Sequence, residues 1–261
     1  MFGLKKRRRN RLRSQPFPGN WLGFLERGVP VYRRLSAADQ TELRGHVQVL
    51  VAEKNFEGCG GLDMSDEIRV VVAGHAGILL LHRSADYYPR LDSILVYPHA
   101  FVAETTVERL GPVAIRGEQV RAGEAWQRGV VILAWDGVLR GALNDRDGYN
   151  VAIHEFAHQL DMENGAADGY PAIRDRALRT AWSGIFQRAY DQLKRDVTRR
   201  RRTLIDPYAA ESPAEFFAVV TECFFEIPVR LQRRHPDLYE ALERFYRQDP
   251  AGLVSSANQY T

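Results

Sequence analysis

The spacing of apolar residues predicts helices in the first third of the chain. Apolar residues follow the capping sequence Ser36-Ala-Ala-Asp39 at helical intervals and predict a helix from about Ala37 to Glu53. Residues 65–83 begin with acidic and end with basic side chains, as the helix dipole favours. Their valine-rich centre also suits a buried strand, and we favour the helix.

Two later stretches are rich in β-branched and aromatic residues and predict strands, at Ser93–Thr105 and Gly129–Trp135. Between them, Val113–Trp126 alternates enough to indicate a further hairpin strand. From Asn150 onward the spacing of apolar residues is helical. It predicts one helix that begins near Asn150 and three more at about Ala172–Val197, Pro213–Glu226 and Pro236–Gln248. Prolines 171, 213 and 236 are expected in first turns, where helices tolerate them. A single mixed α+β domain follows, with a small sheet and a helical C-terminal half.

The N-terminus is strongly basic. Seven lysines and arginines lie within residues 1–13, which contain no acidic residue. They exceed the net charge of +3 of the whole chain by four, so the remainder is mildly acidic. We interpret residues 1–20 as a flexible basic arm, with contact to nucleic acid or an anionic membrane as the alternative. Residues 21–250 form the predicted domain and residues 251–261 a C-terminal tail.

Composition and cysteine usage indicate a protein of the cytoplasm. The chain is 45% hydrophobic and 26% charged, and none of its apolar runs reaches the roughly 20 residues that span a bilayer. The basic N-terminus is not followed by the apolar segment of a signal peptide. Cys59 and Cys223 form no C-x-x-C pair and are expected to be buried thiols.

The sequence His154-Glu155-Phe156-Ala157-His158 predicts a zinc site. Four residues turn a helix by about 400°, so the two histidines project from one face and can bind one zinc ion. Glu155 lies beside them and can act as the general base that takes a proton from the attacking water. The alternative is a packing helix with histidines satisfied in the core, which the paired spacing with an intervening glutamate disfavours.

A third protein ligand is expected from the helix that begins near Pro213. Its candidates are Glu211, Glu215 and Glu222, and spacing alone does not choose among them. Asp161 follows His154 by seven residues, but no glycine breaks the helix to turn it toward the metal. We assign Asp161 to a hydrogen bond with a ligand histidine, or to the N-cap of the next segment.

Four segments together resemble the Mlc titration factor A family of bacterial zinc metallopeptidases: GYNVAIHEFAHQLDMENGAADGYP, YAAESPAEFFAVVTECFF, GLDMSDEIRVVVAG and ILVYPHAF. The resemblance covers about Trp21–Pro250. It implies a zincin-like domain with a buried H-E-x-x-H helix, Glu215 as the third zinc ligand, and cytoplasmic aminopeptidase-type activity with a role in sugar uptake. The basic arm and the run Arg199–Arg202, which we interpret as a solvated helix end, depart from the family pattern.

The catalytic domain of anthrax lethal factor has a similar arrangement, with a tyrosine seven residues before its ligand glutamate. That position corresponds to Tyr208. A phenol beside the metal can donate a hydrogen bond to the oxyanion that forms during peptide hydrolysis. The alternative is that Tyr208 only packs in its turn.

Two further expectations concern partners. The strand Gly129–Trp135 is either an edge strand that pairs with a peptide substrate or a plain core strand. The resemblance also implies a second function, a regulatory protein that sequesters a transcriptional repressor of the Mlc type, with a mainly structural zinc site. A structural zinc ion usually has four protein ligands, and only three are apparent here. Neither a nucleic acid bound to the domain nor a membrane span is expected.

Overall fold

The computed structural model describes residues 2–83, 86–99, 123–126 and 129–257. The α-helices in these ranges are α1 (Phe2–Arg13), α2 (Gly19–Gly28), α3 (Ala37–Glu53), α4 (Asp66–Ile78), α5 (Trp135–Leu143), α6 (Val151–Asp161), α7 (Arg176–Thr198), α8 (Pro213–Glu226), α9 (Pro228–Arg234), α10 (Pro236–Tyr246) and α11 (Pro250–Ala257). The strands are β1 (Asn55–Gly58), β2 (Ser93–Tyr97), β3 (Gly123–Trp126) and β4 (Val130–Ala134). Short 3-10 helices occur at Pro30–Arg34, Met162–Asn164 and Pro207–Ala210.

The described strands form one mixed sheet in the order β1-β2-β4-β3. The first three are parallel, and β3 is antiparallel to β4. Alternate side chains of β2 and β4 are buried, and Ile94 lies opposite Val131 in the parallel register. This arrangement places one face of the sheet against the helices, and it confirms the α+β fold with a small mixed sheet.

The helix predicted at residues 37–53 is confirmed, and the Ser36 side chain accepts a hydrogen bond from the Asp39 N–H at 3.2 Å. The segment that also suited a strand is a helix, α4, and the Ser65 hydroxyl caps it. Acids in its first turn and a capping serine outweigh the β preference of its valines. Fully buried surroundings account for the valines themselves.

The strand predictions are confirmed in part. The first covers Ser93–Tyr97 and ends before Pro98, while residues 100–105 lie outside the described residues. The hairpin strand is described only at Gly123–Trp126, where it pairs with β4. The third covers Val130–Ala134, after which Trp135 begins α5.

One proline assignment was wrong. Pro213 and Pro236 begin α8 and α10 as predicted, but Pro171 lies in a loop before α7. Asp175 caps α7 by accepting a hydrogen bond from the Leu178 N–H at 3.1 Å. α7 therefore begins directly after its capping residue Asp175, which follows Pro171 by four residues.

The basic N-terminal segment is a docked helix in the structure. Residues 2–13, which we expected to be flexible, form α1, which packs on α3. Arg9 contacts Glu53 at 2.8 Å and Asp86 at 2.6 Å, and its guanidinium lies 4.7 Å from the centre of the Tyr87 ring. These contacts explain why the Arg9 side chain is largely buried while most other basic side chains of α1 are exposed. The domain boundaries themselves remain a prediction.

The predicted C-terminal tail also begins as a helix. Residues 250–257 form α11, and the Ala251 N–H donates a hydrogen bond to the Tyr239 hydroxyl at 2.9 Å. Ala251 is buried. No helix of the described ranges combines the length and the apolar composition that a membrane crossing requires.

The core places two helices side by side. α6 packs against α8 and α4, and from Phe216 to Glu226 every residue of α8 is buried. Phe156 of α6 is fully buried and its ring lies 5.1 Å from that of Tyr88. On the other side of α8, aromatic rings from three helices pack together: Trp182, Phe186, Phe216, Phe217 and Phe245. This packing fixes the positions of α6 and α8 relative to each other.

Candidate metal centre

The motif helix α6 begins at a buried asparagine. The Asn150 side chain accepts a hydrogen bond from the Ile153 N–H at 3.1 Å and so caps the helix. Its amide nitrogen donates to Glu226 Oε1 at 2.9 Å. Because the cap is held from α8, the first turn of α6 has a fixed position relative to that helix. Sequence reasoning had not identified Asn150, although an asparagine directly before an apolar helix is a common N-cap.

Three predicted ligands come together between α6 and α8. The Nε2 atom of His154 lies 3.2 Å from Nε2 of His158 and 3.1 Å from Oε2 of Glu215. His158 Nε2 lies 3.4 Å from the same carboxylate oxygen. Glu215 occupies the first turn of α8, where its backbone N–H donates to the Ser212 hydroxyl. Two histidines of one helix and a glutamate of its neighbour therefore converge on one point.

The donor atoms fit a tetrahedral metal ion. Ligand bonds of about 2.0–2.1 Å at tetrahedral angles separate neighbouring donors by roughly 3.3 Å. The three observed separations, 3.1, 3.2 and 3.4 Å, bracket that value. Among the residues that the structure describes, these three form one of two His/Asp/Glu groups with donor atoms within 4.8 Å of one another. The other, Asp39 with Glu42 and His82, contains no part of the H-E-x-x-H motif.

Glu222 contacts the opposite side of His154. Its Oε1 accepts a hydrogen bond from His154 Nδ1 at 2.7 Å, and its Oε2 accepts from the Asn150 N–H. A carboxylate accepts hydrogen bonds, so this contact puts the proton on Nδ1 and leaves the Nε2 lone pair for a metal. Glu222 therefore lies at Nδ1 of His154, whereas Glu215 lies at Nε2. Glu211, the remaining candidate, is exposed.

Charge is concentrated at the site. Burial by itself lowers the pKa of His154, but the carboxylates of Glu222 and Glu215 raise that pKa well above its ordinary value. Burial raises the pKa of Glu215, yet hydrogen bonds to His154 and His158 outweigh it and hold the pKa well below its usual range. Burial raises the pKa of Glu222, and the contact with His154 reduces this upward shift. The pocket thus favours positive charge between its carboxylates, as expected for a cation site.

The two predicted catalytic side chains lie beside these donors. Glu155 follows His154 on α6 and is 3% exposed, so it is shielded from bulk water. The ring of Tyr208 lies 6.2 Å from the ring of His154, in the 3-10 helix before α8. Asp206 caps that turn by accepting the Tyr208 N–H at 2.8 Å. Tyr208 is therefore next to His154, and its catalytic role stays a prediction.

Asp161 has a different role from the histidine contact we had preferred. Its Oδ2 accepts the Gly169 N–H at 2.8 Å in the loop before α7, whereas its side chain makes no cap hydrogen bond to the 3-10 helix that directly follows it. Gly169 has φ +77°, and an added Cβ would lie 2.5 Å from the Pro213 carbonyl oxygen. Asp161 thus fixes a loop that packs closely on the first residue of α8, two residues from Glu215.

The strand predicted to present an edge is central. β4 pairs with β2 on one side and β3 on the other, so its backbone groups are used within the sheet. The edge-strand interpretation of Gly129–Trp135 was wrong, and the core-strand alternative is confirmed. Among the described strands, the edge that contacts α6 is β3.

Glu226 supplies a pH-dependent element beside the helix cap. Burial raises its pKa from about 4.5 to about 8, and Asp145 and Asp147 add to the shift. In the folded state Glu226 therefore keeps its proton where the unfolded chain loses it. Its contribution to stability is complete below pH 4.5 and is lost as the pH rises through 8.

Glu226→Gln should therefore stabilise the protein at alkaline pH. A glutamine stays neutral and its carbonyl can still accept from Asn150, so we expect a gain of roughly 1–3 kcal/mol at pH 9 and none at pH 4. Denaturant unfolding of wild type and variant at both pH values measures this difference in the free energy of unfolding. Glu240→Gln, at an exposed position of α10, is the control and should change neither value. An equal effect of Glu226→Gln at both pH values would contradict a buried, neutral carboxyl.

The fold and the site define a protein of a metallopeptidase family, and comparison with known proteins agrees. The model of the family described as glucose-regulated metallo-peptidase M90 matches residues 4–247. The chain belongs to that family. The match begins at residue 4 and so includes most of α1, whereas we had expected the resemblance to begin at about Trp21.

Similar proteins extend over most of the chain. Uncharacterized protein slr2042 of Synechocystis is 41% identical over 244 residues, which are 93% of this chain and 89% of that protein. Mlc titration factor A of Yersinia pestis (strain Pestoides F) is 33% identical over 228 residues, 85% of this chain and 82% of its own. The protein of the same name from Yersinia pseudotuberculosis serotype O:1b gives the same values. The resemblance to the Mlc titration factor A family is thereby confirmed.

Proposed function

We propose that this protein is a zinc-dependent peptidase in which His154, His158 and Glu215 bind one zinc ion. The observation that carries the proposal is the 3.1–3.4 Å spacing of their three donor atoms beside a buried glutamate of the same motif. Only three protein ligands converge among the described residues, which leaves a position for water or substrate. A structural zinc ion would require a fourth.

Each side chain has a task in peptide hydrolysis. A zinc ion held by His154, His158 and Glu215 would supply Lewis acidity for the activation of water and the polarisation of the scissile carbonyl. Glu155 takes the proton of the attacking water and delivers it to the leaving amine. Its burial keeps the proton transfer away from bulk solvent. Glu222 holds His154 in the tautomer that binds metal through Nε2.

Tyr208 is proposed to stabilise the oxyanion of the tetrahedral intermediate through its hydroxyl. We expect Tyr208→Phe to lower kcat by roughly 10- to 1000-fold, since removal of one hydrogen-bond donor to the oxyanion lowers kcat by up to about 1000-fold. KM and zinc content should be unchanged. Steady-state kinetics on a short chromogenic peptide with metal analysis measures this. Tyr170→Phe, in the loop after α6, is the control; unchanged kcat in Tyr208→Phe would reduce Tyr208 to a packing residue.

The substrate is proposed to be an extended peptide that pairs with β3, the described edge strand in contact with α6. Unpaired backbone groups of an edge strand bind extended chains in this way. Aminopeptidase-type cleavage of small peptides in the cytoplasm is the activity that the family resemblance supports. Peptides blocked at the N-terminus distinguish it from endopeptidase cleavage, because an aminopeptidase leaves them intact.

Removal of the metal tests the peptidase proposal directly. The purified protein should hydrolyse short peptides, lose at least about 90% of that activity after dialysis against a chelator, and recover it when one equivalent of Zn²⁺ is added. Mg²⁺ should not restore activity, because a site of two imidazoles and one carboxylate suits zinc. Activity that survives complete metal removal would contradict the proposal.

A second function is supported by the names of the relatives. Proteins 33% identical to this chain are called Mlc titration factor A. The name agrees with the second function that the resemblance implies, binding of a transcriptional repressor of the Mlc type with a role in sugar uptake. The two functions are compatible. If binding is primary, a purified repressor from the same cell should bind wild type and Glu155→Gln equally well, while peptide hydrolysis is absent from both.

A further inference from the structure

A second cavity lies at the far end of the motif helix. It has a volume of about 180 Å³ and lies between the ends of α4, α6 and α10 and the start of α7. Its wall contains Arg83, Arg174, Arg244 and Arg247, together with the apolar side chains of Leu160 and Phe245. It shares no residue with the candidate metal centre.

The charges of this cavity are unbalanced. Three carboxylates also line it, but Asp86 is paired with Arg9 at 2.6 Å and Asp175 with Arg244 at 2.8 Å. Arg174 has an interaction of its own and is left out of the charge balance, so Glu163 alone then faces Arg83 and Arg247. The described residues include no ion pair of Glu163 within 4.0 Å. The cavity therefore has a local excess of positive charge that an anion would neutralise.

Arg83 is the least satisfied of these cations. Its guanidinium carbon lies 4.1 Å from the centre of the Phe245 ring, and burial lowers its pKa. Its Nη1 is buried and has no hydrogen-bond partner among the described residues. A buried guanidinium nitrogen without an acceptor is unfavourable, and such atoms in folded proteins commonly indicate a bound ion or water. An oxyanion in the cavity would supply the missing acceptor.

We propose that this cavity binds a small organic oxyanion, a phosphate monoester or a carboxylate, with its charged group at Arg83 and its organic part against Leu160 and Phe245. The volume corresponds to about a dozen water-sized positions, which suits a compact molecule. Arg244 and Arg247 are exposed, so the cavity is reached from solvent. Leu160 belongs to α6, and Glu163 follows it, so a bound anion contacts the C-terminal end of the motif helix.

Calorimetric titration at constant ionic strength tests the proposal. Glycerol 3-phosphate and inorganic phosphate represent the phosphate source, and propionate and acetate the carboxylate source. Wild type should bind one class saturably at one site per chain. Arg83→Met, which keeps an unbranched side chain on Phe245, and Arg247→Gln should each weaken binding at least about 10-fold. Arg188→Gln, an exposed arginine of α7, is the matched control and should bind as wild type does.

The Glu215→Ala variant distinguishes binding in the cavity from binding at the metal centre. It should bind the anion as tightly as wild type, because the cavity is separate from the metal centre. Loss of anion binding in Glu215→Ala would assign the anion to the metal instead. Should Arg83→Met fail to fold, Arg247→Gln decides alone. No saturable binding of either class, or equal weakening by Arg188→Gln, would overturn the proposal.

Discussion

Glu155→Gln should abolish most peptide hydrolysis and leave the metal in place. The glutamine amide has the size of the carboxyl but cannot take a proton from water, so the general base is lost. General base catalysis contributes about 10²–10⁴-fold, and we expect kcat to fall by that factor. Zinc content and the melting temperature should match wild type, because Glu155 is not one of the three converging donors.

The measurement is steady-state hydrolysis of short chromogenic peptides, with metal analysis on the same samples. Glu211→Gln is the matched control, since Glu211 is an exposed glutamate four residues before Glu215. It should retain wild-type kcat. If Glu155→Gln cleaves as fast as wild type, the motif is not a catalytic one, and the protein is better studied as a binding protein.

Glu215→Ala should lose the metal itself. Loss of a hydrogen-bonding partner of a ligand typically costs 10–100-fold in metal affinity, so loss of a direct ligand should cost at least about 100-fold. The helix should remain intact, because Ser212 caps α8 through the backbone N–H of residue 215 and not through its side chain. Activity is then lost together with zinc, unlike in Glu155→Gln.

Thermal unfolding with and without zinc separates loss of the ligand from loss of the fold. If zinc binds the folded wild type as proposed, it should raise the melting temperature of wild type, whereas Glu215→Ala should melt at the same temperature with and without zinc. Glu211→Ala should behave as wild type. Tight zinc binding by Glu215→Ala would show that another group is the third ligand.

Much of the candidate site could be predicted because its chemistry is local in sequence. The i, i+4 spacing of His154 and His158 places both on one helix face whatever the tertiary fold. Glu215 and Tyr208 required the family resemblance, since spacing alone left Glu211 and Glu222 equally possible. The structure distinguishes them by position, with Glu215 at Nε2 of His154 and Glu222 at Nδ1.

The remaining features depend on contacts that sequence patterns do not encode. α1 is docked because Arg9 meets Glu53 and Asp86, which are 44 and 77 residues away. Asp161 contacts Gly169 because the loop returns to α8. The order of the strands, which makes β4 central, likewise depends on long-range pairing that the composition of β4 does not reveal. Local propensity predicted the type of most elements, and tertiary packing set their neighbours.

The most direct test of the metal centre is anomalous diffraction at the zinc edge from crystals of the zinc-loaded protein. We predict one peak about 2.0–2.2 Å from Nε2 of His154, Nε2 of His158 and the carboxylate of Glu215, with water at the fourth position. A peak elsewhere, or a fourth protein ligand that closes this site, would contradict a catalytic zinc centre.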